Sequence, residues 1–243
     1  MILEMDFGNS RIKWRIKNAV DVVVRGVAGR EAGLEKIAID LSSFVSMIDQ
    51  VRIVSVWGES AKEQIAEWVK LNLNCMAKFA ISQDKCAGVK NGYDDPSALG
   101  VDRWLAIVAG FHYCQSACIV VSCGTAMTVD LINHQGIHLG GYIVPGWMLS
   151  ISVLSNSTRL INLTENRAWQ LSPGTYTQSA VDNGLAACFK GLVENAIAQL
   201  GTQIQSGRFT IIATGGDAGR LQEILPEVVI REELIMDGLA YCK

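Results

Sequence analysis

Three clusters of side chains have the types and spacing to do chemistry together. In the first, Asp6-Phe7-Gly8-Asn9-Ser10-Arg11-Ile12-Lys13 puts an acid at the end of a short apolar run, a tight turn after it, and a lysine just beyond. A glycine turn presents consecutive backbone N–H groups that can cradle phosphate oxygens. Asn9 and Ser10 add neutral donors, Lys13 adds a cation, and Asp6 suits a Mg²⁺ ion held through water beside the phosphates. The second cluster runs from Ser122 to Asp130, where Gly124 and Thr125 offer a similar grip, and Ala213 to Arg220 follows with Gly215 and Gly216, which leave room for a flat base and its sugar. In the third, Tyr93 to Phe111, Asp102 shares a helix face with Leu99, Leu105 and Ala106. An acid on an inward face needs a partner or a task. Asp102 either pairs with Arg103 or another helix, or faces a cleft as a general base toward an alcohol, with Arg103 gripping an anionic group of the acceptor. Taken singly the turns are open to plainer readings, in which Asp6 caps a turn and the glycine pair punctuates a strand-to-helix link.

The elements that must position these groups follow from periodicity. Ile2–Met5 reads as a strand, Gly8-Asn9 as a hairpin turn, and the strict alternation from Arg11 to Lys17 as a half-buried strand with Ile12, Trp14 and Ile16 inward. Asp95 is a candidate N-cap, with Pro96 at the first helical position. The chain also repeats itself. Laying Ile2–Asn18 over Cys118–His134 brings Gly8 onto Gly124, Asn9 onto Thr125 and Ser10 onto Ala126. Val20–Arg25 and Gly136–Ile143 then read as third strands. Val51–Ser60 resembles Phe209–Ala218, and Ile107–Cys114 matches Ile235–Cys242 at Ile, Gly, Tyr and Cys. Helical periodicity covers Glu31–Phe44, Ser60–Leu71 and Ser97–Tyr113 in the first half, and Thr177–Leu200, Asp217–Ile224 and Glu232–Ala240 in the second. Three strands, then alternating helices and strands closed by a helix, occur twice. That predicts an α/β protein of two similar domains, 1–114 and 115–243, with a nucleotide cleft between them. The apolar stretch Gly146–Ser157 and the helix from Thr177 read as either dimer interface or buried core.

Composition bounds the rest. The 243 residues are 49% hydrophobic and 19% charged with net charge −3, which predicts a globular chain and argues against nucleic acid or an anionic membrane as partner. Seven cysteines without CxxC spacing, mostly in apolar runs, read as free thiols of a reducing, cytoplasmic setting. An acid-bearing strand at the N-terminus predicts no signal peptide, and Gly140–Leu154, broken by Pro145, is too short to span a bilayer.

Read in order, "DFGNSRIK", "YDDPSALGVDRW", "SCGTAMTVD", "GGYIVPG" and "ATGGDA" resemble the motif set of the type III pantothenate kinases, within the acetate kinase, sugar kinase, Hsp70 and actin superfamily. The resemblance implies duplicated ribonuclease H-like (actin-like ATPase) domains, a homodimer, and ATP-dependent phosphorylation of pantothenate, the first committed step of coenzyme A synthesis. It places ATP on Asp6, Phe7, Gly8, Asn9, Ser10, Arg11, Ile12 and Lys13 and on Thr125. It places pantothenate on Tyr93, on Gly100, Val101, Asp102 and Arg103, and on Thr177 through a short T-x-x-A-x-x-x-G pattern, with Asp102 as proton acceptor. It also implies Mg²⁺ and a monovalent cation, K⁺ or NH₄⁺. One departure stands out: Ser122 occupies the position where the family carries the aspartate associated with that cation, with Asp130 a substitute that geometry must decide. Two alternatives belong to other classes: a non-catalytic regulatory protein that keeps the fold, and a kinase of the superfamily acting on another acceptor such as a sugar. Retention of Asp6, Lys13, Asp102 and Arg103 speaks against the first, and the Gly100–Trp104 motif against the second.

Overall fold

The computed structural model describes residues 1–19, 21–31, 33–157, 169–204 and 207–241. The first half runs β1 (Ile2–Phe7), β2 (Arg11–Lys17), β3 (Val22–Gly29), α1 (Gly33–Leu41), β4 (Gln50–Ser55), α2 (Glu59–Leu73) and β5 (Ala77–Phe79). A small hairpin of β6 (Lys85–Cys86) and β7 (Val89–Lys90) and a 3₁₀ turn at Pro96–Ala98 lead into α3 (Val101–Cys114). The second half runs β8 (Cys118–Cys123), β9 (Ala126–Ile132), β10 (His138–Pro145), α4 (Trp147–Ser157), α5 (Thr177–Gln203), β11 (Thr210–Thr214), α6 (Ala218–Ile224), β12 (Val229–Ile230) and α7 (Leu234–Gly238).

The duplication is visible in the sheets. Each has five strands, ordered β3-β2-β1-β4-β5 in one and β10-β9-β8-β11-β12 in the other, so every strand has its counterpart in the same place. In both, the first three strands form an antiparallel meander and the fourth joins the first in parallel. This is the α/β architecture of two similar halves that the repeat predicts, and the duplicated ribonuclease H-like, actin-like ATPase fold that the resemblance implies. The second hairpin is one residue tighter than the first, since Phe7 pairs with Ile12 but Cys123 pairs with Met127. The Val20 and Ala32 margins of the expected elements and the Cys242 end of the repeat lie outside the described residues.

Amphipathic patterning puts the helices on the sheets. In α2, Ile65, Val69 and Leu73 recur at four-residue spacing and are buried, and Asn74 closes the helix in the left-handed conformation. The expected helix Ser97–Tyr113 divides instead. Asp95 caps the 3₁₀ turn, its Oδ1 accepting from the Ser97 N–H at 2.9 Å, and α3 begins afresh after Gly100.

The two repeat-matched helices cross between the halves. α3 shares a core with Val120, Ile132 and Ile212 of the second sheet, while α7, from the end of the chain, packs on α3 and on β1 of the first sheet. Gly238 makes the crossing close: a Cβ there would lie 2.4 Å from the Leu105 carbonyl oxygen.

This crossing corrects the half-buried reading of β2 at one position, while Ile12, Trp14 and Ile16 are inward as expected. Arg15, expected on the polar face, is 1% exposed. Its Nε donates to Glu4 at 2.7 Å and its Nη1 to Glu233 and Asp237 at 2.8 Å each, tying β2 to the region of α7. Those carboxylates hold the guanidinium more firmly protonated than usual, against the desolvation that opposes its charge. Losing one partner of such a buried set costs roughly 3–5 kcal/mol, because the remaining charge is left uncompensated. No described helix is long and apolar enough to cross a membrane.

Candidate active site

The β1–β2 and β8–β9 turns meet. Ser10 Oγ and Thr125 Oγ1 lie 3.0 Å apart, 115 positions apart in sequence, so the two glycine turns face one another across the cleft. Each turn is closed at its glycine, Gly8 N–H donating to the Arg11 carbonyl and Gly124 N–H to the Ala126 carbonyl, both at 3.1 Å. Asn9, Ser10 and Thr125 are exposed, as a ligand-binding surface requires, whereas Phe7 and Ile12 are fully buried and anchor the first turn from below.

Asp6 stands at the end of β1, directly opposite Lys13 in the hairpin register. The residue is 8% exposed, and among the described residues its carboxyl makes no hydrogen bond or close ion pair. Burial pushes it up to about 6, the Lys13 ammonium pulls it down, and the Asp102 carboxylate pushes it up again. The Asp102 carboxylate therefore lies near enough to Asp6 to act on its charge, which brings the start of α3 toward the first turn. A buried, unpartnered carboxylate fits a cation that arrives with its own ligands. Among the described residues no cluster of three or more His, Cys, Asp or Glu could hold a metal ion.

Asp102 lies in the first turn of α3, with Oδ1 accepting from the Arg103 N–H at 2.9 Å. Burial raises its carboxyl above the ordinary range; that hydrogen bond and the Arg103 charge oppose the shift, and Asp130 adds to it. Gly100 accommodates the folded-back carboxylate, since a Cβ there would sit 2.9 Å from Oδ1.

Arg103 is more occupied than its sequence reading suggests. It is 5% exposed, and its Nε and Nη2 grip both oxygens of Asp130 at 3.0 and 2.6 Å. Nη1 donates to the Tyr93 hydroxyl at 2.7 Å, and the guanidinium lies 5.5 Å from the centre of the Tyr93 ring. His138 Nε2 completes the group, 2.9 Å from Asp130 Oδ1, and its ring stacks with Tyr93. Gly141, opposite Asp130 in β10, leaves the room this needs, since a Cβ there would lie 2.4 Å from Oδ1. Asp130 therefore compensates Arg103 rather than standing free beside Ser122. Sequence reasoning missed His138 altogether and left Asp130 open as a substitute for Ser122, without linking it to Arg103. The strand period does place Asp130 on the same face of β9 as Thr128, but nothing in it names Arg103.

Gly215 closes the second half of the cleft. Its φ of +97° is a left-handed value that glycine adopts freely, and a Cβ would lie 2.3 Å from the Cys123 carbonyl oxygen, so the loop lies against the second turn. Asp217 N–H donates to that carbonyl at 3.2 Å, and Gly216 faces open space. Ser122 pairs with Thr128, whose hydroxyl is buried without a partner. Thr177, exposed at the start of α5, makes no hydrogen bond to the Tyr93–Arg103 group. A small pocket behind the second turn is lined by Cys123, Gly124, Met127, Trp147, Phe189 and Asp217, and reaches neither Asp6 nor Asp102. Its wall is largely apolar and offers one carboxylate, Asp217.

Comparisons with known proteins give the fold and the family. Among solved structures, a conserved Campylobacter jejuni protein assigned to the Baf family of transcriptional activators superposes with a TM-score of 0.63 at 20% identity, covering 98% of this chain and 95% of that one. The ethanolamine utilization protein EutJ of Carboxydothermus hydrogenoformans superposes at 0.54 and 13% identity, covering 98% and 88%. At that identity both speak to the fold alone. The type III pantothenate kinase of Ectopseudomonas mendocina is 37% identical over 99% of this chain and 98% of its own length. That of Cellvibrio japonicus is 33% identical over 98% and 95%. The family model for type III pantothenate kinase matches residues 2–199, and the chain belongs to that family.

Proposed function

We propose that the chain transfers the γ-phosphoryl group of ATP to the primary hydroxyl of pantothenate, giving 4'-phosphopantothenate and ADP in the first step of coenzyme A synthesis. The observation that carries this reading is the Ser10–Thr125 contact, which brings two phosphate-gripping turns together beside Asp6 and Asp102. ATP lies across Asp6–Lys13 and Thr125, with its base and sugar against Gly215 and Gly216. Asp6 would hold Mg²⁺, and the ion would supply charge neutralisation on the phosphates. Pantothenate lies against Tyr93, Gly100, Val101, Asp102, Arg103 and Thr177.

The acceptor oxygen attacks the γ-phosphorus, the bond to the β-phosphate oxygen breaks, and Asp102 takes the hydroxyl proton. A carboxylate raised by burial is the better proton acceptor for that step. Positioning and charge neutralisation carry most of phosphoryl transfer, and these groups supply both. The Asp130–Arg103–Tyr93 set holds the acceptor wall in place, a role nearer to orientation than to direct capture of an anion.

Two finer readings accompany this one. The family's monovalent cation site has only neutral oxygens here, Ser122 and the unpartnered Thr128 hydroxyl, so K⁺ or NH₄⁺ acts weakly if at all. A homodimer forms through the β10 edge and α4, where Ile143, Met148 and Val153 are exposed. The division at residues 114 and 115 follows the repeat, although α3 and α7 cross it. The free thiols support a cytoplasmic setting.

The test is product identity. Purified protein with Mg²⁺–ATP is offered pantothenate and, separately, glucose and glycerol, and products are weighed by mass spectrometry. Pantothenate gaining one phosphate supports the reading. Phosphorylation of the sugar alone, or ATP binding with no transfer to pantothenate, contradicts it.

A further inference from the structure

The first phosphate turn is held from behind. The Trp57 indole N–H donates to the Gly8 carbonyl at 2.9 Å, and Arg30 Nη1 reaches the next carbonyl, that of Asn9, at 3.4 Å. The two side chains are stacked, with the guanidinium carbon 4.9 Å from the centre of the indole ring, and Phe7 packs edge-on to the same ring at 5.2 Å. Trp57 is only half-buried and stands in the loop after β4, so its ring is not simply core.

A trans peptide is planar, with its C=O and the following N–H pointing opposite ways. Pinning the Gly8 and Asn9 carbonyls toward Trp57 and Arg30 therefore turns the Asn9 and Ser10 N–H groups away from them. Among the described residues neither N–H has an acceptor. Ser10 of the same turn touches Thr125 across the cleft. Such a turn exposes two aligned donors with their orientation fixed from outside.

We propose that Trp57 and Arg30 are positioning residues for nucleotide phosphate, locking the two peptides so that the Asn9 and Ser10 N–H groups are already aimed when ATP arrives. This rests on the reading that ATP phosphate binds the Asp6–Lys13 turn. Trp57 touches no substrate itself. Its indole N–H removes a peptide rotation that the phosphate would otherwise have to stop, which lowers the entropic cost of binding.

The test is Trp57→Phe, which keeps an aromatic ring against Phe7 and Arg30 and deletes only the donor. Lys13→Met is the control for the site. The KM for ATP is expected to rise about 3–10-fold in Trp57→Phe, the effect of losing one hydrogen bond. kcat at saturating ATP, the KM for pantothenate and the Tm should change little. Equal losses in every kinetic parameter together with a lowered Tm would overturn the proposal, since they mark a merely structural ring. An unchanged KM for ATP in Trp57→Phe, beside a large rise in Lys13→Met, would overturn it while leaving the phosphate site intact. Unchanged ATP kinetics in both variants would overturn it along with the site.

Discussion

Replacing Asp6 by asparagine should make the ligand-free protein more stable at neutral pH while disabling it. The Asp6 carboxyl rises from 3.8 to about 6 because burial penalises its charged form more than Lys13 relieves it. That is about two pH units, and at 1.36 kcal/mol each the fold works against roughly 3 kcal/mol to keep this group ionised. The folded pKa is the higher one, so the folded state binds the proton more tightly. The stabilising contribution is full below about pH 4, declines as pH rises from about 4 to 6, and is gone above that range. The asparagine amide never ionises and escapes the decline. At pH 7.5 the Asp6→Asn variant should gain up to about 3 kcal/mol, or roughly 6–12 °C in Tm for a chain of this size. At pH 4 the two proteins should melt together. Calorimetry with EDTA at pH 4, 5.5 and 7.5 reads this directly. A Tm gain that is absent at pH 7.5, or equal at every pH, would refute the claim that Asp6 is held ionised at a cost. Added Mg²⁺–ATP should then stabilise the wild type more than the variant, which separates a site kept strained for a ligand from an accident of packing.

Three further outcomes follow from the same geometry. Asp130→Ala leaves Arg103 buried without its carboxylate, and should lower stability by about 3–5 kcal/mol in chemical denaturation; a loss under about 1 kcal/mol would show that the pair is not compensating. Gly238→Ala drives a methyl group into the Leu105 backbone and should cost about 1–3 kcal/mol or more, measured as a shifted urea midpoint with unchanged m-value. On the proposed reading, Ser122→Asp puts a charge where a monovalent cation would bind, so the ratio of initial rates in K⁺ and Na⁺ should rise; an unchanged ratio would contradict a cation site at this position.

Much of this was legible in the sequence because the signals are local. Gly8 and Gly124 end apolar strands, Asp95-Pro96 caps a turn, and the repeat forces the two sheets to share one order. What escaped was set by residues far away in the chain. Arg15 alternates like a solvent-facing residue, and only α7, more than 200 positions later, buries it. Arg103 looked free to grip an anion because its partner Asp130, itself held by His138, comes from the other half's strands. Trp57 carried no motif, since its meaning lies in which carbonyl its N–H finds. Asp102 was legible for the opposite reason: an acid among apolar residues on a helix face is a conflict within one element.

The central claim is that Asp102 accepts the proton of a pantothenate hydroxyl aligned with ATP on the two facing turns. Steady-state phosphorylation of pantothenate by the wild type and by Asp102→Asn tests it most directly. The account predicts a fall in kcat of roughly 10²–10⁴-fold with the KM for ATP nearly unchanged. A variant that keeps wild-type kcat would contradict it and move the proton acceptor to another group.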